Sequence, residues 1–392
     1  MEEWKSYRLG DIVQIGSGLV YKADYLGEGN ALLLGMGCVS FTEKFLNKGA
    51  RPYSGESDER FCVNPGDIVL ATRQQSDNLP ILGMPAIIPE EYRGKRLIAG
   101  SNLYIVHNES EIDNRYLYWL LKTPQYINHI SSCKTGTTVR MITKKDIESF
   151  VFSCPGKEQR KKISDLLWSI EDRIDLNIRI NHNLLNIAQE LFNEKIAKNI
   201  YDANGFRTAS LLDIADYLNG LAMQKYPAID GEIGLPVLKI RELGLHMCDS
   251  NSDRCSELIP EQYIVKDGDI IFSWSGTLLV DYWCGGVCGL NQHLFKVSSG
   301  LYPGWFIYFW TKHHLDRFIR IAQDKAVTMG HIKRGDLVKA EVIIPNDDSL
   351  KSVDAEISPL MSDYVRRRIE NRELQTLRDS LLPELMSDLL NC

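Results

Sequence analysis

The sequence predicts an α+β protein: two mixed α/β globular domains in tandem, each followed by a long helix. Three observations predict this fold. The chain repeats itself once at a spacing of about 190–200 residues, each copy begins with short strand-like runs, and each ends in one long helical stretch. The expected globular domains are 1–155 and 201–345, and the expected helical spacers are 156–200 and 346–392.

The internal repeat consists of similar blocks that keep their order in both copies. Blocks 202 residues apart are Leu9–Val13 with Leu211–Ala215 and Val63–Ile68 with Val265–Ile270. Blocks 190 residues apart are Thr138–Ile147 with Thr328–Leu337 and Asn181–Leu184 with Asn371–Leu374. One matching pentapeptide arises easily by chance, but an ordered series does not. The sequence therefore indicates a duplication that fills nearly the whole chain.

The globular part of each copy is predicted to contain short strands and one amphipathic helix. Gly66–Ala71 and Gly268–Ser273 are turn residues followed by apolar runs of strand length. The helix is expected at Arg115–Thr123 in the first copy and at Gly304–His313 in the second. The tyrosine, tryptophan and leucine side chains of these helices favour a place in the core over a stacking platform.

The end of each copy is predicted to be a long helix with a coiled-coil seam. Between Glu158 and about Ala197 the chain has no Gly or Pro, and its apolar residues alternate steps of four and three. The predicted helix-pairing residues are Ile163, Leu167, Ile170, Ile174, Asn181, Leu184 and Leu191, and Val353, Ile357, Leu360, Asn371 and Leu374. Seam asparagines are typical register-fixing residues. Since such a rod buries its stripe only against a partner, we expect the two helices to pair antiparallel about a pseudo-twofold axis.

Composition excludes several classes of protein. With 44% hydrophobic and 25% charged residues, the chain is not largely disordered. A net charge of −7 argues against coating nucleic acid by bulk positive charge, although not against a local basic surface. No apolar run has the length of a membrane helix, and the first residues do not read as a signal peptide. Nine scattered cysteines then predict reduced thiols and a cytoplasmic protein.

The sequence carries no motif of a common enzyme class. Its two Gly-Lys pairs, Gly94-Lys95 and Gly156-Lys157, lack the Ser or Thr of a phosphate-binding loop. It also has no Asn/Asp-Pro-Pro-aromatic tetrapeptide of an amino-methyltransferase, no Gly-x-Ser-x-Gly elbow and no His-Glu-x-x-His helix. We therefore expect no catalytic residues and no cofactor.

Cys284 and Cys288 are the best metal candidates, with His246, Cys248 and Cys255 upstream. Zinc needs four converging ligands, and a Cys-x-x-x-Cys spacing supplies two of them. Free cysteines also act as small buried hydrophobic residues, and this second interpretation is favoured. No metal site is predicted.

The order globule, long helix, globule, long helix resembles the specificity subunits of type I restriction–modification systems over essentially the whole chain. The segments that carry the resemblance are Leu211–Gly220, Gly268–Thr277, Asn291–Phe295, Thr328–Leu337 and its first-copy partner Gly136–Ile147. The chain departs from the pattern in two places. Ala71–Gln74 replaces the Ser-Trp-Ser-Gly run in the first copy, and Pro383 is expected to shorten the last helix.

The resemblance implies a non-catalytic, sequence-specific DNA-binding subunit. Each globule would be a target-recognition domain that reads one half of a split site in double-stranded DNA. The helices would set the spacing and dock methyltransferase subunits, two in number, which in turn join restriction (nuclease-translocase) subunits. No membrane association is implied.

Candidate DNA-binding residues follow the matching strands or form basic clusters at matching repeat positions. In the first copy they are Arg73, Gln74, Gln75, Asn78, Lys134, Arg140, Lys144 and Lys145. In the second copy they are Ser273, Trp274, Ser275, Thr277, Lys325, His331, Lys333 and Arg334. Arg pairs with guanine, and Gln or Asn with adenine, in the major groove. Because the strands match while the following loops differ, we expect the two half-sites to differ and the target to be asymmetric.

Two interpretations from other classes remain open. A DNA-mimicking or DNA-blocking protein would explain the acidic charge, but acids and bases are interspersed along the predicted helices. An unrecognised zinc-dependent enzyme would be built around Cys284 and Cys288, and metal analysis of the purified protein would reveal it.

Overall fold

The computed structural model describes residues 4–75, 80–198, 206–324 and 330–387. The chain forms two compact units. The first unit consists of Met1–Asp172 and Thr376–Cys392, and the second unit is Arg173–Gln375. Each unit therefore joins one globular part to segments of both long helices. The division into four segments expected from the sequence stays a prediction. The two compact units follow different boundaries, because each includes segments of both long helices.

Among the described residues, the first unit contains two four-stranded sheets, two two-stranded sheets, three short α-helices and the beginning of a long helix. In chain order its elements are β1 (Lys5–Arg8), β2 (Val13–Ser17), β3 (Leu26–Leu34), β4 (Ala50–Tyr53), β5 (Cys62–Val63), β6 (Ile68–Ala71), β7 (Arg73–Gln74), β8 (Pro85–Ile87), β9 (Leu97–Ala99), β10 (Leu103–Asn108), α1 (Asn114–Leu120), α2 (Pro124–Cys133), β11 (Arg140–Met141), α3 (Lys144–Glu148), β12 (Val151–Cys154) and α4 (Lys157–Lys195), which continues into the second unit.

Strand β6 lies at the centre of the first unit and is buried on both faces. The antiparallel sheet runs β2-β10-β6-β8, and a mixed sheet runs β4-β3-β9-β5 with β3 and β9 parallel. Because strand side chains alternate, Ile68 and Leu70 pack with the helices, whereas Val69 and Ala71 face the core of the second sheet. Such two-sided burial explains why the β6 segment is a continuous apolar run.

The second unit repeats this arrangement. Its elements are β13 (Phe206–Ser210), α5 (Leu211–Ile214), β14 (Asp216–Asn219), β15 (Leu235–Leu238), α6 (Ile240–Leu245), β16 (Arg254–Cys255), β17 (Ile264–Val265), β18 (Ile270–Ser273), β19 (Leu279–Tyr282), β20 (Cys288–Leu290), β21 (Leu294–Ser298), α7 (Gly304–His313), α8 (Leu315–Asp324), α9 (Arg334–Val338), β22 (Glu341–Pro345) and α10 (Asp347–Leu385), whose last turns return to the first unit. Its antiparallel sheet runs β14-β21-β18-β19, so β18 takes the place of β6.

Two details of the helix prediction are wrong. Each globular part carries two consecutive helices, α1 with α2 and α7 with α8, where one was expected. In the first copy Pro124 disfavours a helical conformation at Thr123, so α1 ends at Leu120 and α2 begins at the proline. Pro383 does not shorten the last helix, because α4 and α10 both span 39 residues. A proline two residues before the end of α10 removes a single backbone donor.

The predicted antiparallel pairing of α4 with α10 is confirmed. In the second unit Arg173 Nε lies 2.8 Å from Glu370 Oε1, and Lys195 pairs with Glu356. As the residue number rises along α4, the number of its partner on α10 falls. No helix among the described residues is both long and apolar enough to cross a lipid bilayer.

Candidate nucleic-acid interface

In the first unit, two distant segments meet just beyond the end of strand β6. Only Thr72 separates β6 from β7, and β7 pairs antiparallel with β11 so that Met141 lies opposite Arg73. The Thr72 carbonyl also accepts a hydrogen bond of 3.3 Å from the Ile142 amide. The loop after the strand and the basic segment, predicted separately as DNA-binding, therefore form one surface.

This first-unit surface exposes several cationic and amide side chains. Arg73, Gln75, Lys134 and Lys145 are exposed. Arg140 is half-buried, and its Nη1 donates to the Gly136 carbonyl. The guanidinium is therefore held beside the β11 turn, with its position fixed by the backbone.

Lys144 is placed by an aromatic neighbour and a helix cap. Its Nζ lies 6.0 Å from the centre of the Tyr104 ring, and the Tyr104 hydroxyl donates to the Ile142 carbonyl at 3.2 Å. Thr143 caps α3 in a reciprocal capping box with Asp146, which orients the first turn of this helix.

Gln74 does not face solvent, contrary to its assignment as a base-reading residue. Its side chain is buried, and its Oε1 accepts a 3.2 Å hydrogen bond from the Leu82 amide. Alternation along β7 turns Gln74 inward and Arg73 outward. The glutamine therefore fixes the loop, and Gln75 remains the exposed amide. Asn78 lies outside the described residues.

The second unit forms the same junction at the end of β18. Ser275 and His331 form an isolated antiparallel bridge, and the Ile332 amide donates to the Trp274 carbonyl at 3.1 Å. The Gly276 amide donates to the Gly330 carbonyl at 3.0 Å. The segment after β18 and the basic segment before α9 are thus hydrogen-bonded together, as in the first unit.

Trp274 is held rigidly at this second-unit junction. Its indole Nε1 donates to Asn219 Oδ1 at 2.9 Å. Its ring lies 6.0 Å from the His293 ring and 5.8 Å from the Phe295 ring. The indole is half-buried, so part of the ring is accessible to solvent. The hydrogen bond to Asn219 and the two neighbouring rings fix its rotamer.

Two predicted contact residues in the second unit are buried instead. Ser273 and Ser275 are only 0% and 3% exposed. Ser273 donates to the Ser275 carbonyl at 3.1 Å, and the Ser275 hydroxyl lies 3.0 Å from His293 Nδ1. Both hydroxyls are hydrogen-bonded inside the unit and neither faces solvent, and their contact with DNA stays a prediction.

The remaining second-unit candidates lie at the surface. Thr277, Lys333 and Arg334 are exposed, and His331 is half-buried. Lys325 lies outside the described residues. Whether any of these side chains contacts bases or phosphates stays a prediction.

Sequence reasoning missed three residues that position these surfaces: Tyr104, Asn219 and His293. Tyr104 lies on β10 and His293 just before β21, the two strands that flank β6 and β18. Asn291–Phe295 belongs to the repeat, so His293 could have been predicted from the sequence. Asn219 had no sequence signal, because only folding brings it to Trp274.

The predicted helix-pairing residues divide between globular cores and the helix pair. Ile163 and Leu167 pack in the core of the first unit, and Val353 and Ile357 pack in that of the second. Leu184, Leu191 and Leu360 lie half-buried against the core of the second unit. Ile170 and Ile174 are buried, whereas Leu374 is half-buried.

The two predicted seam asparagines differ in their partners. Asn371 is half-buried and accepts a 2.9 Å hydrogen bond from Asn177, a seam residue with no exposed area. Asn177 also accepts from Arg367 Nη1 at 2.8 Å. Asn181 is 7% exposed, and its buried Oδ1 has no protein partner in the described chain.

The cysteine cluster is arranged for packing. The neighbouring Cys288 thiol lowers the pKa of Cys248, while burial raises that of Cys288. Cys284 Sγ instead faces the Val365 carbonyl at 3.9 Å. Across the described ranges, no group of three or more His, Cys, Asp or Glu side chains converges as a metal site.

These features define a class of α+β protein with two similar units, each with a hydrogen-bonded polar junction at the end of its central strand, and two long helices that pair antiparallel. Residues 1–186 match the family model described as "Type I restriction modification DNA specificity domain". The type I restriction enzyme MjaIX specificity subunit of Methanocaldococcus jannaschii is 22% identical over 98% of this chain and 93% of that protein. The HindI specificity subunit of Haemophilus influenzae is 27% identical over 49% of this chain and 40% of that protein.

A solved structure shares the fold. The type I restriction-modification S subunit from M. genitalium has a TM-score of 0.62 and 13% sequence identity, covering 99% of this chain and 97% of that one. Residues 1–186 therefore carry a type I restriction–modification DNA specificity domain, and the chain as a whole is similar to specificity subunits of these systems. The matched model gives the chain a role in DNA sequence specificity, and its curated relatives are named as specificity subunits.

Proposed function

We propose that each unit reads one half of a split, asymmetric DNA site through the junction at the end of its central strand. The proposed recognition domains are the globular parts within 1–155 and 201–345. One observation carries this proposal. In both units, the segment after the central strand is hydrogen-bonded to the segment before the following short helix, α3 or α9. The scaffold is thus shared, while the exposed side chains on it differ.

In the first unit, the exposed groups suit direct reading of bases together with phosphate binding. Arg73 presents a planar guanidinium of the kind that pairs with guanine O6 and N7, and Gln75 presents an amide that suits adenine. Lys134 and Lys145 supply positive charge for the phosphate backbone. The acidic chain as a whole does not oppose this, because phosphate affinity depends on local cations.

In the second unit, the matching place carries a fixed aromatic ring in place of a guanidinium. Trp274 offers an apolar surface of the kind that contacts a thymine methyl group, and Thr277 offers a hydroxyl beside it. Lys333 and Arg334 supply the phosphate contacts. Since matching positions carry different chemistry, the two half-sites differ, and a palindromic target would contradict the proposal.

The experiment profiles the target bound by the assembled complex, with each half-site randomised in turn. We expect Arg73→Ala to relax the sequence preference of one half only, by about 1–3 kcal/mol per lost base contact. Trp274→Ala should relax the other half. Arg93→Ala is the matched control, because this exposed arginine follows β8 beyond the opposite end of β6. Equal losses in both halves from either substitution would refute the assignment.

We further propose that the long helices set the spacing between the half-sites and bind methyltransferase subunits, two in number, through which restriction subunits join. Leu176 and Ile187 on α4 are 41% and 51% exposed. Eleven residues at about 100° each bring them to within ~20° of one another around the helix, about 16 Å apart along it. Exposed apolar side chains on one helix face are typical of a protein–protein interface.

Paired substitutions test the docking face. Leu176→Glu with Ile187→Glu should abolish co-purification with the methyltransferase subunit while leaving the circular dichroism spectrum and the unfolding curve unchanged. Leu258→Glu is the control, because Leu258 is 77% exposed in the globular part of the second unit. If the double variant still assembles as the control does, this face of α4 is not the docking surface.

A further inference from the structure

The first unit contains a cavity of about 210 Å³ that the recognition function does not use. It lies where α1 and α2 meet the last turns of α10. The residues that matter to its chemistry are Met84, Trp119, Lys122, Arg378 and Leu382. All of them belong to the first unit.

Two cations, Lys122 and Arg378, and one carboxylate, Asp379, line this cavity. Lys122 and Arg378 are 8% and 4% exposed. Arg378 Nη1 binds Glu171 Oε2 at 2.9 Å, and Nε binds Asp379, whose side chain is 64% exposed. Within the described residues, no hydrogen bond uses Arg378 Nη2. Arg378 is thus paired with two carboxylates, so Lys122 is the cation that can receive a negative guest, since a buried charge without a counter-ion is costly.

Lys122 is the cation that lacks a counter-ion. The hydroxyl of Tyr118, 3.2 Å from Nζ, is its hydrogen-bond partner, and no carboxylate of the described chain lies within ion-pair distance. Burial, reinforced by the charge of Arg378, lowers the pKa of Lys122 to about 8. A negatively charged partner would therefore stabilise the ammonium form of Lys122.

Trp119 adds an unused donor. Its indole Nε1 is buried and has no hydrogen-bond partner in the described part of the chain. Buried N–H groups are almost always paired, because an unpaired one loses its hydration without compensation. An acceptor from outside the chain would satisfy it.

The second unit shows that the fold does not require this cavity. At the positions 190 residues away, Phe309 replaces Trp119 and Phe192 replaces Leu382. Their rings stack with centroids 5.3 Å apart, and both side chains have no exposed area. Ala188 takes the place of Arg378. The lysine and its tyrosine neighbour are kept, as Lys312 and Tyr308.

We propose that the first-unit cavity binds a small organic carboxylate with a ring-sized apolar body. The carboxylate would be received by Lys122 Nζ, Arg378 Nη2 and the indole N–H of Trp119, and the apolar body by Met84 and Leu382. The size is adequate, since an apolar cavity of about 150 Å³ holds a benzene ring. An acidic side chain of a partner protein shares the carboxylate chemistry, and the test separates it from a free ligand.

The test uses 4-fluorobenzoate and the full-length chain, observed by ¹⁹F NMR. We expect saturable broadening of the fluorine signal, with binding at least tenfold tighter than that of 4-fluorobenzamide, which has the same shape without the charge. Equal binding of the amide would overturn the proposal. No binding of fluorobenzoate would also overturn it and would leave a partner's side chain as the occupant.

Matched variants locate the site. Lys122→Met should weaken fluorobenzoate binding at least tenfold, and so should Leu382→Phe, which introduces the larger ring found in the second unit and leaves every charge in place. Lys312→Met is the matched control and should bind as the unchanged protein does. Unaltered binding by both Lys122→Met and Leu382→Phe would overturn the proposal. No DNA or partner subunit is needed, so the outcome is independent of the proposed recognition function.

Discussion

The two units differ in the side chains that lie between their globular core and the long helices. In the first unit Glu171 and Arg378 form an ion pair of 2.9 Å whose side chains are only 4% and 5% exposed. The second unit has Met361 and Ala188 at the corresponding positions, both buried. The same backbone thus accepts either a buried ion pair or apolar packing, as expected if a well-paired buried salt bridge roughly offsets its desolvation cost.

The second unit has its own charged contacts elsewhere. Arg368 binds Asp281 at 2.9 Å and Arg372 binds Asp267 at 2.7 Å, which ties α10 to the ends of β18 and β19. The corresponding positions on α4, Ile178 and His182, are exposed. The ion pairs therefore differ between the two units although the fold is the same. The hydrophobic positions repeat, and each unit places its ion pairs separately.

Breaking the buried pair of the first unit should have the largest effect. Arg378→Met leaves the Glu171 carboxylate buried without its cation, so we expect a loss of about 3–5 kcal/mol in the free energy of unfolding. Denaturant unfolding followed by circular dichroism measures it. Arg366→Met on the same helix is the control, because its ion pairs are 60% exposed on the arginine side, and it should cost less than about 1 kcal/mol.

The double variant Glu171→Met with Arg378→Met sharpens the same comparison. It gives the first unit an apolar solution like that of the second, and we expect its stability to return to within about 1 kcal/mol of the original or to exceed it. A double variant as unstable as Arg378→Met alone would show that the pair has no apolar substitute here.

Alkaline pH should stabilise the first unit through Lys122. The folded pKa of about 8 lies below the ordinary value of 10.5, so between these values the unfolded chain binds more protons and stability rises with pH. From pH 7 to 9.5 we expect a gain on the order of 1–2 kcal/mol. The groups that act on this amine are Arg378, Glu171, Asp379, Glu43 and Tyr118.

The measurement is the difference in unfolding free energy between the unchanged protein and Lys122→Met at each pH, so that other titrations cancel. Lys312→Met serves as the comparison from the second unit. If the unfolding free energy changes with pH in the same way for the unchanged protein and Lys122→Met, burial does not lower the pKa of Lys122.

Exchanging the aromatic residue between the units should have the smallest effect. Phe192→Leu opens space beside Phe309 and should cost about 1–2 kcal/mol. Leu382→Phe fills space in the first unit and should gain up to about 1 kcal/mol. Unfolding midpoints in denaturant measure both, and a loss of stability in Leu382→Phe would show that the cavity cannot accept a ring.

Much of the fold followed from local patterns. The strands that end at Ala71 and Ser273, the helix Gly304–His313 and the beginnings of both long helices were predictable, because hydrophobic periodicity and turn residues act over a few residues. The missed α2 and α8 show the limit of this reasoning. Thr123-Pro124 reads as a stop, and the same dipeptide is also a favourable helix start.

The sequence by itself determined the duplication, the order of elements and the segments that form the junctions, since these depend on periodicity and on matching blocks. Only the tertiary structure decided which side chains face outward there. It turned Gln74, Ser273 and Ser275 inward, where backbone groups and His293 engage them. It also brought Lys122, Arg378 and Trp119 to one cavity from segments some 250 residues apart in the chain. Burial and pairing arise from contacts between distant segments, and no local pattern encodes them.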